Sequence, residues 1–358
     1  MIRSLSPYYI SIPWVSPESG KKSLQNNLSV YIWSEDKTPV PVDPEYEFTK
    51  YNSGELSGTD NTIDIARIIA DFIEITPKHS ATTANVDADS TYWVKWEYTY
   101  IVVGDIVEDT PQGETTKLFS RGYSYGNEGG NIETVTNNLL FQVDEFNVNR
   151  GGVYCLPLLA NESGNVGYSI ASFPASELVQ VGTVIATTNA SESGQLVFID
   201  LSDAITDTYA IVKVNNIEVA TLVIKDELKY TPVNLYFINK LGFQQSFTLF
   251  KERKDRINVT ENVYQSRNGQ PISGNHQFKR FNVQGKTSFS VWSGFIDETN
   301  NETIQQLLLS ESIWIVEGVN LIPINIKTAS NEWKTQVNER LINYNLEFEY
   351  SYTLINSI

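Results

Sequence analysis

The chemistry open to this chain is bounded by two histidines, His79 and His276, one cysteine, Cys155, and 43 carboxylates. A Ser-His-Asp relay or a multi-histidine metal site would have to recruit one of those two histidines, and no motif supports either use. His79 falls in Pro77-Lys78-His79-Ser80 and His276 in a turn-rich stretch beside Phe278 and Lys279, so both read as surface residues. Cys155, within Val153-Tyr154-Cys155-Leu156-Pro157-Leu158, reads as a small buried hydrophobe rather than a reactive thiol. A single cysteine also excludes an intrachain disulfide.

The carboxylates offer pairs but no selection among them. Glu347 and Glu349 stand two apart on one face of a strand, about 7 Å from each other, close to the spacing of a retaining glycosidase pair. Charges at such positions also discourage edge pairing, and that is the reading adopted. Asp87-Ala88-Asp89-Ser90 supplies oxygen ligands of the kind Ca²⁺ takes, but the spaced ligands of an EF-hand are missing, so it reads as a solvated loop. Gly126-Asn127-Glu128-Gly129-Gly130 lacks the Lys-Ser/Thr of a phosphate loop. Most tryptophans sit inside strand patterns and read as core. Trp93 is different. It lies opposite the apolar face of its strand and reads as a docking surface or a carbohydrate platform. No catalytic residue, metal ligand or cofactor site is assigned, and an enzyme is not expected.

Formal charge is −17, yet the stretch from Lys229 to Ser290 holds ten Lys/Arg against three Asp/Glu, a local +7 that leaves −24 for the remainder. Lys251, Arg253, Lys254 and Arg256 are the densest part of this band. A mostly acidic chain is repelled by bulk nucleic acid, and no nucleic-acid fold signature accompanies the band. It reads instead as a solvated face or as a patch that docks onto an acidic copy of the same chain. The N-terminal stretch has neither an uninterrupted apolar run nor a cleavage motif, so no signal peptide is expected. No run approaches the ~18 apolar residues of a membrane span, so no membrane partner is expected either.

The elements that would position these residues are mostly strands. With 358 residues, two or three domains are expected. The first, 1–130, is a β domain whose strongest strand, Tyr92–Tyr100, alternates aromatic and polar residues. Its one helix places Ile65, Ile68, Ile69, Phe72 and Ile73 at i, i+3, i+4, i+7 and i+8, with N-caps offered by Asp60, Asn61 and Thr62 and a stop at Pro77. Val40–Phe48, rich in proline, is a loop or sheet edge. The second, 131–228, reads as a small β-sandwich of short strands: Leu139–Val143, Val153–Leu159, Gly167–Phe173, Leu178–Thr187, Gln195–Leu201, Tyr209–Val214 and Ile217–Lys225. Asn215-Asn216 is a tight hairpin turn.

The third, 229–358, has a hairpin at Asn239-Lys240-Leu241-Gly242 between Val233–Ile238 and Ser246–Lys251. Further strands follow near Ile257–Tyr264, Gln277–Val283, Thr287–Val291, Ile313–Val316, Asn320–Lys327 and Glu332–Val337. Its helix carries Ile304, Leu307 and Leu308 behind a Thr299/Glu302 capping box. The closing run, Ile342–Leu354, is apolar at every even position and polar at every odd one. It predicts one strand of roughly 40 Å, dry on one face, with Glu347 and Glu349 on the other. The fold class is therefore mainly β: two to three antiparallel sandwich-like domains, with one short amphipathic helix in each of the first and last.

Several of these segments resemble structural proteins of tailed bacteriophages that infect Bacteroidota. The resemblance is carried by Ser6-Pro7-Tyr8-Tyr9-Ile10, by Ile63 through Ile73, by Val233-Asn234-Leu235-Tyr236-Phe237-Ile238-Asn239-Lys240-Leu241-Gly242, and by the stretches Glu311–Ile315 and Leu341–Tyr344. It implies a virion component made in the host cytoplasm, present in many copies, and partnered by itself and by other virion proteins. It implies no reaction and no cofactor. A tail or baseplate position is preferred, by analogy with sandwich modules that carry a lone helix. The alternatives are a capsid decoration or head-fibre protein, a module that binds host surface glycans, and a polysaccharide-degrading enzyme.

Overall fold

The computed structural model describes residues 1–12, 23–34, 39–53, 61–82, 84–88, 91–102, 113–128, 131, 145–160, 165–172, 178–181, 185–186, 193–202, 208–214, 217–270, 273–328 and 342–355. The expected strands Leu139–Val143 and Glu332–Val337 and the Asn215-Asn216 turn lie outside them. The chain is mainly β, with several sheets and two short helices.

In the first segment five strands pair in the order Ile2–Arg3, Gly113–Ser120, Thr91–Val102, Ser23–Trp33, Tyr46–Ser53. The alternation expected from Tyr92 onward places Val94 and Trp96 on the face that packs against Leu28, Val30, Ile32 and Phe119. Helix α1, Ala66–Phe72, lays Ile65, Ile69 and Ile73 on the same core. Its start is not held by Asn61 or Thr62, and Asp60 lies outside the described residues. Asn61 and Thr62 are extended, in an Asn61–Asp64 strand paired with Tyr9–Ile12. Asp64 does the work of tying the entry instead, its Oδ1 accepting from Ala66 N at 3.1 Å and from Tyr8 N at 3.0 Å.

In the middle segment a three-stranded sheet (Val153–Ala160, Ser193–Asp200, Ala84–Asp87) and a larger one built on Thr208–Val214 and Ile217–Lys225 share one core. Leu156, Leu158, Val197 and Ile199 come from the first, Val212, Leu222 and Ile224 from the second. Ala84–Asp87 reaches this sheet from before residue 130, so a strand crosses the boundary expected there. Short alternating strands with small polar connections had made this segment readable.

The last segment forms the largest sheet, in the order Gln244–Leu249, Val233–Ile238, Ile313–Glu317, Asn320–Ile326, Asn345–Tyr350, Phe278–Trp292, Arg253–Gln265. Helix α2, Asn301–Leu309, packs on its buried face through Ile304 and Leu307. The Thr299/Glu302 capping box does not form. A 3₁₀ turn, Glu298–Asn300, extends the helix upstream, so Asp297 accepts from Thr299 N at 3.0 Å, and Glu302 turns to Gln306 and Lys240.

The closing strand is internal, paired with Asn320–Ile326 on one side and Phe278–Trp292 on the other. It is shorter than its alternation predicts. Regular pairing ends at Tyr350, where Ser351 N and Oγ both donate to Pro323 O at 3.1 Å, and Leu354–Ile355 resumes farther along Phe278–Trp292.

The Asn239–Gly242 turn is as expected, but it is buried. Asn239 Oδ1 accepts from Leu241 N and Phe243 N, which lets the turn sit without water. It presses backbone to backbone on Arg121-Gly122: a Cβ on Gly122 would come within 2.6 Å of Lys240 O. On Gly242, at φ +86°, a Cβ would come within 2.5 Å of Arg121 C.

Candidate functional site

The most unusual surface belongs to the hairpin Arg253–Gln265/Phe278–Trp292. Its base lies in the large sheet, and its outer half has no described layer against either face. Every residue from Lys254 to Gln265 is exposed. Arg256 to Tyr264 read Arg-Ile-Asn-Val-Thr-Glu-Asn-Val-Tyr, an alternation that would serve a half-buried strand. The register explains what each face carries. Asp255 opposes Phe289, Ile257 opposes Thr287 and Val259 opposes Gly285, so this face continues the one that Phe289 and Val291 bury at the base. A bulge opposite Glu261, with Asn282 at φ 50°, shifts the register before the tip. Beyond it Val263 opposes Arg280 and Gln265 opposes Phe278, still on the same face. Ile257, Val259, Val263 and Phe278 there are 48–58% exposed.

The opposite face is cationic. It carries Lys254, Arg256, Lys286 and Lys279, with Tyr264 edge-on to Phe281 at 5.5 Å between them. Asp255 and Glu261 both lie on the apolar face, so the cationic face holds no acid of the hairpin's own. Arg256 and Lys279 make no ion pair with any described residue. Across residues 253–292 seven Lys/Arg stand against two Asp/Glu, so the arm is +5 on a chain that is otherwise −22.

The base is clamped. Arg253 donates to Tyr350 Oη at 2.9 Å and to Asp255, and stacks its guanidinium 4.4 Å from the Phe289 ring centre. Burial works against its charge, but the bonds from Asp255 and Tyr350 outweigh that and its pKa moves up. Tyr350 in turn donates to Glu317 at 3.0 Å. The arm is thus aimed by a buried aromatic and a hydrogen-bonded arginine.

The structure gathers the basic residues singled out by sequence at this base, in different roles. Lys251 is tied to Glu227 at 2.5 Å and Lys254 to Glu252 at 3.3 Å, while Arg256 makes no ion pair among the described residues. Glu349 bridges Lys286 at 3.1 Å and Lys327 at 3.5 Å; the Lys286 hydrogen bond is the main reason its carboxyl is held below the usual range. Glu347 lies beside it, its N–H donating to Thr328 Oγ1. One carboxylate is thus engaged by two lysines and ties the arm strand to the end of Asn320–Ile326.

Two expectations are corrected. Trp93 is no exposed platform: it is 3% exposed, covered by Leu241 and Phe243 with Leu118 beside it. The buried turn of the last segment covers the second face of the first sheet at Trp93, while Lys95 and Glu97 farther along that face stay partly exposed and pair with each other at 3.0 Å. His79 is no surface loop residue. It is half-buried, its Nδ1 3.0 Å from Tyr236 Oη and its ring edge-on to Phe198. His276 is exposed and Cys155 buried, as expected, with burial pushing the thiol pKa up. Asp87 is a strand residue opposite Gln195, and Asp89 lies outside the described residues. No group of three or more His, Cys, Asp or Glu able to hold a metal occurs among the described residues.

Burial lowers the pKa of His79, with a backbone bond to Gly318 opposing. The unfolded chain, near 6.5, therefore takes up its proton first as pH falls. The stability from neutral His79 is complete above about pH 6.5 and is lost below it. The urea midpoint is expected to drop between pH 7 and pH 5, and to drop less in His79→Gln. Parallel pH curves for the two proteins would count against this role.

Compared with protein families, with curated proteins and with solved structures, the chain matches none of them.

Proposed function

We propose that this chain is a non-enzymatic structural subunit of a bacteriophage virion, assembled in multiple copies, with the tail or baseplate as its place. In this reading it consists of two to three sandwich-like β domains, near 1–130, 131–228 and 229–358, and the arm is its assembly element. The observation that carries the proposal is the arm's exposure. A two-stranded ribbon is marginal in water on its own, and one that displays isoleucine, valine and phenylalanine on an open face fits a surface that a partner covers. The clamp at its base fits the same use, because an aimed arm loses less entropy on docking. The glycan-binding alternative loses the residue it rested on, since Trp93 lies beneath Leu241 and Phe243.

The test is made on particles. In purified virions of the phage that encodes it, the protein is expected at a fixed stoichiometry by mass spectrometry. A labelled antibody should decorate one position on intact particles in negative stain. A protein that stays monomeric and is missing from the particles would sink the proposal.

A further inference from the structure

We infer that the arm docks on the body of a second copy, its Arg253–Gln265 edge adding to the Tyr46–Ser53 edge of the neighbour's first sheet. This rests on the reading of the chain as a multicopy subunit and goes on to name the contact. Both strands end their sheets in the described structure. At about 3.3 Å per residue the arm edge runs roughly 43 Å and the receiving edge roughly 26 Å, so one arm spans the whole of it. Main-chain hydrogen bonds along such an edge give affinity, and the side chains on the two faces give selectivity.

The faces match one by one. On the receiving strand Tyr46 opposes Val30 and Phe48 opposes Leu28, so both lie on the core side, half-buried and stacked at 6.3 Å on the rim of the first core. Glu45 and Glu47 fall on the other side, exposed, with Asp43 just before them. None of the three acids makes an ion pair with a described residue. An added arm therefore sets its apolar face (Ile257, Val259, Val263, Phe278) in line with Tyr46 and Phe48. Its cationic face, with Lys254, Arg256, Lys279 and Lys286, then lies beside Glu45 and Glu47.

Other pairings are poorer. Arms side by side bring two +5 elements together, which like-charge repulsion opposes. The far edge of the first sheet is partly occupied by Ile2–Arg3, and its exposed acid, Glu114, already pairs with Lys95. The Gln244–Leu249 edge of the large sheet is wholly buried. Because donor and receiver differ, the contact is head-to-tail and builds rings or open helical arrays rather than closed dimers.

Charge reversal tests it on the full chain. Glu45→Lys/Glu47→Lys in one protein and Lys254→Glu/Arg256→Glu in another should each weaken self-association at least ~100-fold, about tenfold or more per reversed pair. Unchanged far-UV spectra and melting show that each variant folds. Mixed one to one, the two should assemble again, because each supplies the arm that the other's body accepts. A mixture that stays dissociated overturns the inference. Disulfide capture separates the two readings: Glu47→Cys copies should cross-link to Arg256→Cys copies. Wild type that assembles while Arg256→Cys copies capture only one another, arm to arm, overturns this inference alone. Wild type that neither assembles nor enters particles overturns the proposed function with it.

Discussion

Phe348→Ala is expected to destabilise the last sheet by about 4 kcal/mol, the range of a fully buried phenylalanine truncated in a core that collapses poorly. Phe348 is 0% exposed in the middle of an internal strand and stacks on Phe289 at 5.3 Å, 27° between planes. Both neighbouring strands are fixed by the backbone ladder, so they cannot close the void. Phe289 also backs Arg253, so the loss loosens the arm's clamp. Tyr352→Ala is the control. It has the same parity in the sequence, but Tyr352 is 46% exposed, beyond the point where the strand leaves the sheet, and should cost less than ~1 kcal/mol. Denaturant titrations followed by fluorescence, which Trp292 and Trp314 report from this sheet, check both. Equal losses in the two variants would mean that the alternation, not the observed break at Ser351, describes this strand.

That contrast shows how far local pattern reads. Period-two alternation located Tyr92–Tyr100 and the core of the closing strand, and short runs divided by polar clusters located most of the middle-segment strands that fall within the described residues. Side-chain alternation is a property of each strand by itself. The 3.6-residue spacing of Ile65, Ile69 and Ile73 located α1 for the same reason. What a face meets is not local. Trp93 sits on the polar side of its strand and was expected in the open. Leu241 and Phe243, 148 and 150 positions away, cover it. His79 likewise owes its burial to Tyr236 and Phe198, which no spacing near Pro77 announces. Asp64 displaced the expected caps of α1 because Asn61 and Thr62 pair with Tyr9–Ile12, again a distant partner.

The arm is the reverse case. Ile257, Val259 and Val263 carry the pattern of a core-facing strand, and Gln277–Val283 with Thr287–Val291 read as two strands. They are one strand, Phe278–Trp292, interrupted only by the bulge at Asn282. Sequence marks an apolar face but cannot say whether a body stands behind it. The basic band was legible as charge, and the structure concentrates much of it on one face of one element. Patterning written for burial on an element left open is a local rule broken at a place where function is expected.

Excising the tip should separate folding from assembly. Joining Thr260 to Gln284, which oppose each other, through an Asn-Gly turn keeps the base of the arm and the Gln284–Gly285 pairing with Leu354–Ile355, and closes the ribbon with a favoured two-residue loop. No residue removed is part of a buried core in the described structure. The shortened protein should therefore match wild type within ~0.5 kcal/mol in urea. Self-association should weaken sharply in sedimentation and negative stain, because the outer part of the edge that adds to a neighbour is gone, and with it Val263 and Phe278 of the apolar row. Solubility at low salt should rise as well, since the exposed apolar strip is the strongest aggregation signal on the described surface. A shortened protein that still forms rings or arrays would mean that assembly runs through another surface. One that no longer folds would mean that the tip, exposed as it is, folds back on its own chain rather than onto a neighbour.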